Sequence, residues 1–547
     1  MNKMLWIALC VSLSAVSILF AQNDFSKQEV LNAAKLIGLS FSEAEYDSML
    51  DELHQNLIYY QQLREIPLAN WIPPMLFFHP IPLDFELEKE QKPIRWSKVD
   101  KVNVPENFEE LAFYSIPELA ELLRSRKITS VALTRLYLER LKRYDPQLHC
   151  VITLTEDLAL EQARKADAEI AAGKYRGLLH GIPYGVKDLF AVKGYKTTWG
   201  SVPFKDQYLD HTATVIKKLE EAGAVLLAKL SMGELAWGDV WFGGMTRNPW
   251  NLEQGSSGSS AGSAAATAAG LVAFALGSET WGSIVSPSTR CGTTGLRPSY
   301  GRVSRTGAMT LSWSMDKIGP ICRTVEDCAI VFDAIRGSDG IDRTVIDVPF
   351  NYQPNIEVKK LRVGFLQKAF EEDTVNYLTN QLTLNTLRAS GWSLLPIDLP
   401  ELPIYSMSII LSAEAAAAFD ELTRSGQDSL LVRQIKDAWP NVFRASRFIP
   451  AVEYIQANRL RNELIEQMNI VMKKVDVYVA PSFGTNLFLT NLTGHPCVVL
   501  PNGFNEQGSP SSICFIGQLF GEATLLAVAK SYQDLTDFHR QHPPTFR

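Results

Sequence analysis

Apolar residues recur at helical spacing in two segments close to the start of the chain. Ser26 and Ser42 each open a capping-box pattern, in which a serine is followed three residues later by glutamate. The first pattern predicts a helix that stops at Gly38, and the second predicts a longer helix through about Leu63. The segment 67–82 is proline-rich and breaks any helix. Residues 22–105 therefore read as a helical extension followed by a linker.

The pattern changes from about residue 110 onwards. Amphipathic helices are predicted after Ser115 and from Ser130, where leucines recur every three or four residues. Further along, short apolar runs at 361–366, 475–481 and 498–501 alternate with helical segments. Such alternation predicts an α/β domain with a mixed sheet covered by helices, and we expect it to extend from about residue 106 to residue 547.

The first twenty-odd residues form a pattern of their own. Lys3 precedes an apolar run that ends in the small and polar residues around Ala21. This pattern is typical of a secretory signal peptide, residues 1–21, and an uncleaved membrane anchor is the alternative. The predicted location is secreted or periplasmic. No later segment has the length of apolar sequence that a membrane span needs.

Composition narrows the classes of partner. The chain has 547 residues, of which 46% are hydrophobic and 21% charged, and its net charge is −7. No basic block stands out, so a nucleic-acid partner is not expected. The six cysteines beyond the apolar N-terminal run have no zinc-binding spacing, and most are expected to be buried. We predict no metal and no organic cofactor.

The stretch 255–270, GSSGSSAGSAAATAAG, is either a flexible linker or a functional loop. Its second half has high helix propensity, and an apolar run follows at 271–276, so the loop enters a helix and a buried strand directly. Glycines and serines before a helix collect amide and hydroxyl groups at one place, which suits a developing negative charge. The context therefore favours a functional loop.

Two short segments match hydrolase motifs in their residue types alone. The segment 258–262 matches the Gly-x-Ser-x-Gly nucleophile elbow, but the residues before it do not read as the required strand. Ser314 and Lys317 match a Ser-x-x-Lys pattern without its companion motifs. Both matches are weak.

Three segments taken together are more informative: GIPYGVKDLF (181–190), the stretch 255–270, and ALGSETWGSIVSPSTRCGTTGLRPSYGRVSR (275–305). In these motifs and their order the chain resembles the amidase signature family of serine hydrolases, over roughly residues 110 to 540. The resemblance implies the amidase-signature fold for residues 106–547. It also implies hydrolysis of a carboxylic amide through a seryl acyl-enzyme.

The family's catalytic residues carry over onto matching positions. The resemblance implies Lys187 as the base, Ser259 as the relay that follows a cis peptide bond, and Ser283 as the nucleophile. It further implies an oxyanion hole made by the backbone amides of Thr280, Trp281, Gly282 and Ser283. A lysine can act as a base when burial lowers its pKa, and a hydroxyl can both accept and donate a proton.

Simpler interpretations exist for single residues. Lys187 beside Asp188 could form a surface ion pair, and Ser283 could be a turn residue beside Gly282. The chain also departs from the family pattern, since Trp281 replaces a glycine, Ala261 replaces another, and Val285 stands where arginine is frequent. These departures leave the substrate open.

The sequence therefore predicts an exported amidase that acts on a small-molecule amide. An esterase that uses the same residues and an inactive binding protein are the alternatives. An amidotransferase role beside tRNA in the cytosol is disfavoured by the predicted export. The role of the N-terminal extension, the oligomeric state and the substrate are not fixed by the sequence.

Overall fold

The computed structural model describes residues 25–547, which fall into two compact units. The first unit ends at Leu68, and the second runs from Ala69 to Arg547. The predicted signal peptide, residues 1–21, lies outside the described residues.

The first unit contains two helices, α1 (Lys27–Leu36) and α2 (Glu43–Arg64). In each of them the predicted capping box is present. The side chains of Ser26 and Ser42 accept hydrogen bonds from the third helical residue, whose glutamate accepts one in return from the serine backbone. These reciprocal bonds satisfy amide groups that the first helical turn leaves free, so both predicted helices are confirmed.

The second unit is built on one large sheet with two short two-stranded sheets beside it. Its strands are β1 (Val151–Leu154), β2 (Pro183–Lys187), β3 (Val225–Leu230), β4 (Val240–Trp241), β5 (Gly244–Met245), β6 (Arg247–Asn248), β7 (Asn251–Gly255), β8 (Phe274–Glu279), β9 (Thr294–Arg297), β10 (Lys317–Cys322), β11 (Val363–Phe365), β12 (Leu394–Pro396), β13 (Val477–Pro481), β14 (Cys497–Phe504) and β15 (Pro510–Gly517).

The helices of this unit cover the sheet. They are α3 (Ile116–Arg124), α4 (Ser130–Leu148), α5 (Glu156–Ala171), α6 (Thr214–Glu221), α7 (Ala261–Ala268), α8 (Val285–Cys291), α9 (Val325–Ile335), α10 (Gln367–Glu372), α11 (Tyr377–Ala389), α12 (Ile409–Ala418), α13 (Asp420–Arg424), α14 (Trp439–Ser446), α15 (Ala451–Met472), α16 (Thr485–Thr493) and α17 (Glu522–Gln533).

The large sheet is mixed and has eleven strands in the order β1-β3-β2-β8-β10-β9-β14-β15-β13-β11-β12. Strand β2 is parallel to both of its neighbours, β3 and β8, whereas β10 is antiparallel to β8 and to β9. The central strands are buried along their whole length, as expected for strands that helices cover on both faces. The predicted α/β class is confirmed.

The segment 69–105 belongs to the unit that holds the sheet. The backbone N–H of Arg95 donates to Tyr352 O at 3.0 Å, and that of Ser97 donates to the Glu326 carboxylate at 2.6 Å. The compact unit therefore begins upstream of residue 106, where we expect the amidase domain to start.

Three properties of the described part of the chain bear on function. Between residues 25 and 547 no helix is long and apolar enough to cross a membrane. No group of acidic, histidine or cysteine side chains in that range has the arrangement of a metal site. The six cysteines described are buried, and none of them forms a disulfide.

Candidate active site

The sheet brings two of the three motifs to one edge. Lys187 is the last residue of β2, which pairs in parallel with β8, with Val186 opposite Leu276. Because parallel strands end at the same edge of a sheet, Lys187 lies beside the segment that continues β8 into residues 280–283. The candidate base and the candidate nucleophile loop therefore meet through sheet pairing.

The third motif folds as a tight loop and a buried helix. All eight residues of α7 are buried, in agreement with the alanine-rich sequence. A Cβ at Gly262 would lie 2.5 Å from Cys150 O, and a Cβ at Gly258 would lie 1.8 Å from Gly238 O. Backbone packs directly against these two glycines, which a flexible linker would not require. The linker interpretation of 255–270 is therefore wrong.

Lys187 and Ser259 are in direct contact. The Lys187 ammonium nitrogen lies 2.7 Å from Ser259 Oγ, 3.2 Å from Ser260 Oγ and 2.9 Å from Ser278 Oγ. The Gly258–Ser259 peptide bond is cis, as the resemblance implied. Three hydroxyls thus surround one amine at the end of β2.

The surroundings of Lys187 favour its neutral form. Its side chain is fully buried, and this burial lowers the pKa of Lys187 from 10.5 to about 7, against the opposing influence of Asp316 and Glu279. Removing an ammonium group from water destabilises the charged form, which accounts for the direction. At neutral pH a substantial fraction of this lysine can accept a proton.

Ser283 lies in the same site and is half-buried. Its carbonyl accepts a hydrogen bond of 3.2 Å from the Ser260 N–H, which joins the loop of residues 280–283 to the loop that precedes α7. In the described part of the chain, the Ser259 and Ser283 hydroxyls do not form a hydrogen bond with each other. The structure therefore brings Lys187 and Ser259 into contact and places Ser283 beside them through the backbone.

Residues 280–283 expose a run of backbone amides. Within the described range, the N–H groups of Thr280, Trp281, Gly282 and Ser283 donate to no group of the chain. Gly282 has a φ of +88°, a conformation that side chains disfavour, and a Cβ there would lie 3.2 Å from Leu487 Cδ2. Free amides on a tightly turned loop are the arrangement that an oxyanion hole needs.

Glu279 holds this loop and was missed by the sequence reasoning. Its carboxylate accepts from the N–H groups of Ile284 and Val285 at 2.8 and 3.0 Å, and from Arg297 and Asn491 at 2.8 Å each. Burial acts to raise the pKa of Glu279, but Arg297 and these hydrogen bonds lower it to about 2. The sequence signal that could have found it is its position inside the motif at 275–305, four residues before Ser283.

Thr280 is anchored from the other side. Its hydroxyl donates to Asp316 Oδ1 at 2.5 Å, while Asp316 Oδ2 accepts from the backbone N–H groups of Leu311 and Ser312. Burial raises the pKa of Asp316 above its ordinary value. Glu279 and Asp316 thus fix the two ends of the loop that carries the free amides.

The simpler interpretations of Lys187 and Asp188 do not fit the structure. Asp188 is fully buried and pairs with Lys229, whose ammonium nitrogen lies 2.6 Å from Asp188 Oδ1. The Thr198 hydroxyl and N–H donate to its other oxygen. A surface ion pair between Lys187 and Asp188 is therefore excluded, because each of them has other partners in the interior.

The Gly-x-Ser-x-Gly match at 258–262 does not form a nucleophile elbow. Residues 251–255 do form a strand, β7, contrary to our prediction, but it pairs only with β6 and ends before Gly258. Ser260, the central serine of the elbow match, donates to Ser278 O at 3.1 Å.

The Ser-x-x-Lys match belongs to a buried polar cluster. The Ser314 hydroxyl donates to Glu414 at 2.7 Å and accepts from Arg461 at 2.9 Å, while Lys317 donates to Met315 O. Ser314 and Lys317 are thus bonded to other groups.

Comparison with known proteins defines the family. The sequence model of the Amidase family matches residues 132–490. The A subunit of the Glutamyl-tRNA(Gln) amidotransferase of Marinomonas sp. is 34% identical over 478 residues, which span 78% of this chain and 98% of that relative. The corresponding protein of Moorella thermoacetica is also 34% identical, over 485 residues. The chain belongs to the Amidase family.

Solved structures agree with this assignment. The native peptide amidase from Stenotrophomonas maltophilia superposes with a TM-score of 0.71 at 28% identity, covering 80% of this chain and 99% of that enzyme. An amidase family protein from Bacillus anthracis gives a TM-score of 0.71 at 27% identity, covering 80% of this chain and 93% of that protein. The predicted amidase-signature fold is confirmed.

The comparison corrects the predicted location. The curated relatives at 34% identity are components of an enzyme named for its action on Glu-tRNA(Gln), which points to a cytoplasmic protein. The prediction of a secreted or periplasmic protein is therefore wrong. The apolar N-terminal run misled it, and with it goes the reason for disfavouring an amidotransferase role.

Proposed function

We propose that this protein hydrolyses a small carboxylic amide through an acyl-enzyme formed on Ser283, with Lys187 as the base and Ser259 as the relay. The observation that carries the proposal is the contact of 2.7 Å between Lys187 and Ser259 in a site where burial brings the lysine pKa to about 7. When the pKa of a base lies near the working pH, a large fraction of it is unprotonated and it still binds a proton strongly enough to act.

In the first half of the reaction, Ser283 Oγ attacks the amide carbonyl carbon. Its proton passes to Ser259, whose own hydroxyl proton passes to the Lys187 nitrogen, so the relay serine ends unchanged. The carbonyl oxygen becomes an oxyanion that the amides of residues 280–283 stabilise, and such donors contribute about 3–4 kcal/mol each. The proton then moves from Lys187 through Ser259 to the leaving nitrogen as the C–N bond breaks.

In the second half, water attacks the acyl-enzyme and gives up a proton along the same path. The C–O bond to Ser283 breaks, the carboxylic acid leaves, and the serine regains its proton. Every step uses groups of the chain together with water and the amide, so no cofactor is required.

Esters could be cleaved at the same residues. Comparing an amide and an ester with identical acyl groups separates the two activities, since a site built for amides must also protonate a poor leaving group. An inactive binding protein is the remaining alternative, and it predicts no acid product from either compound.

The curated relatives support a second candidate function, because their name makes them one component of an amidotransferase. In that role the amide would be hydrolysed to deliver ammonia to a second protein. The alignment covers nearly all of those relatives and 78% of this chain.

Our expectation that the protein has no nucleic-acid partner, which was based on the net charge, stays a prediction.

The test is product formation by the purified chain with a panel of primary amides that includes glutamine and with matched esters. We expect ammonia and acid from at least one amide, complete loss in Ser283→Ala, and full retention in Ser531→Ala, a matched change on α17. Turnover that survives Ser283→Ala would contradict the proposal. A strong preference for glutamine would favour the amidotransferase role.

A further inference from the structure

The loop that carries the free amides also carries an aromatic side chain on its outer face. The indole of Trp281 stacks on Phe488, with ring centroids 3.9 Å apart and planes 26° apart. Tyr405 stacks on Phe488 at 6.0 Å, and its ring centroid lies 6.3 Å from that of Trp281. We call these three rings the aromatic ledge.

The ledge is open to solvent, although its base is buried. Phe488 is fully buried in α16, whereas Trp281 is 38% exposed and Tyr405 is 53% exposed. Large aromatic surfaces beside a candidate nucleophile gain free energy when a flat apolar group covers them. Trp281 stands where the family pattern has glycine, so this surface is added to the site in this chain.

A small cavity adjoins the same loop. Its volume is about 20 Å³, and it is lined among others by Leu189, Ala236, Ser278, Thr280, Met309 and Ile318, but not by Trp281, Tyr405 or Phe488.

We infer that the substrate carries a flat aromatic ring next to the amide to be cleaved, and that this ring lies on the ledge formed by Trp281, Tyr405 and Phe488. The ring belongs either to the acyl part, as in benzamide, or to the amine part, as in acetanilide. This inference rests on the proposed function for the position of the amide, but its test does not require turnover.

The experiment measures binding of four amides to the full chain with Ser283→Ala, which prevents acyl-enzyme formation. The compounds form two matched pairs: benzamide with cyclohexanecarboxamide, and acetanilide with N-cyclohexylacetamide. Each pair differs in whether the ring is flat, so the comparison isolates stacking from size. Dissociation constants are obtained by ligand-observed NMR.

We expect the aromatic member of one pair to bind about three- to tenfold more tightly than its saturated partner. The pair that shows the preference identifies the side of the amide that carries the ring. Trp281→Leu and Tyr405→Leu, each added to Ser283→Ala, should reduce the preference to below about twofold. Tyr377→Leu, a change of another exposed tyrosine at the start of α11, should leave it intact.

Equal dissociation constants within both pairs would overturn the inference. So would a preference that survives Trp281→Leu and Tyr405→Leu, or the absence of binding by all four amides up to their solubility limits. Failure of the proposed function has a different signature, since it would appear as missing acid product with the unmodified chain while the binding preference persists.

Discussion

Lys187 and Ser259 are joined by a hydrogen bond of 2.7 Å between the lysine nitrogen and the serine hydroxyl. They belong to different motifs and are 72 residues apart in the sequence. The lysine is the last residue of strand β2, and the serine follows Gly258, which packs against the backbone of Gly238. Their contact joins a buried amine to a hydroxyl that can accept and donate a proton.

The first prediction concerns pH. Because the proposed base is the neutral form of Lys187, whose pKa is about 7, kcat/KM should rise with pH through about 7 and level off above it. Below that pH the amine is protonated and cannot accept a proton. The measurement is the pH profile of kcat/KM for a neutral amide, and a profile that falls as pH rises from 6 to 8 would contradict the role of Lys187.

The lowered pKa of Lys187 also affects how the free energy of unfolding depends on pH. In the unfolded chain Lys187 has its ordinary pKa of 10.5, so between about pH 7 and 10.5 the unfolded state binds more protons than the folded state. This group therefore makes stability rise with pH across that window. Urea unfolding should show a steeper rise for wild type than for Lys187→Met, and identical slopes would disagree with a buried lysine of lowered pKa.

Ser259→Ala removes the relay while leaving Lys187 in place. We expect kcat/KM to fall about a hundredfold or more, because one proton-transfer partner is lost. Ser263→Ala is the matched control, since Ser263 is a buried serine of the neighbouring helix whose hydroxyl donates to Leu276 O. Similar losses for the two variants would mean that Ser259 acts through packing alone.

Glu279→Gln tests the support of the loop. The change removes the charge that pairs with buried Arg297, and breaking a buried pair in this way costs about 3–5 kcal/mol. The free energy of unfolding should fall by roughly that amount in urea titrations. Glu357→Gln breaks the exposed pair with Lys360 and should change it by less than about 1 kcal/mol. Equal effects would argue against a structural role for Glu279.

Gly282→Ala tests the turn between the free amides. Alanine disfavours a φ of +88°, and its methyl group would press on Leu487, so we expect a loss of about 1–3 kcal/mol in stability. Amide turnover should fall as well, because the free amides proposed as oxyanion donors on either side would shift. An active variant of wild-type stability would show that the loop tolerates other conformations.

Some of these features follow from short stretches of sequence. The capping boxes at Ser26 and Ser42 involve residues three apart, so the local pattern suffices to predict both helices. The contact between Lys187 and Ser259 could not be predicted from either segment alone, because strand order in the sheet decides which distant segments meet. It was predicted from the order of several motifs along the chain.

Other features depend on partners that no local pattern reveals. Glu279 meets Asn491 across 212 residues, and Asp188 is held by Lys229 on the neighbouring strand. Trp281 was visible as a departure from the family pattern, but its stacking on Phe488 depends on where α16 packs. The location was predicted wrongly because the prediction rested on the apolar run after Lys3 alone, whereas the relatives point to a cytoplasmic protein.

The most direct test of the account is covalent labelling of the purified protein with a fluorophosphonate, read by intact mass and by mapping of the modified peptide. The account predicts one adduct per chain on Ser283, no adduct in Ser283→Ala, and slow labelling in Lys187→Ala because the nucleophile then lacks its base. An adduct that maps to another serine, or equal labelling of wild type and Ser283→Ala, would contradict the assignment of the nucleophile.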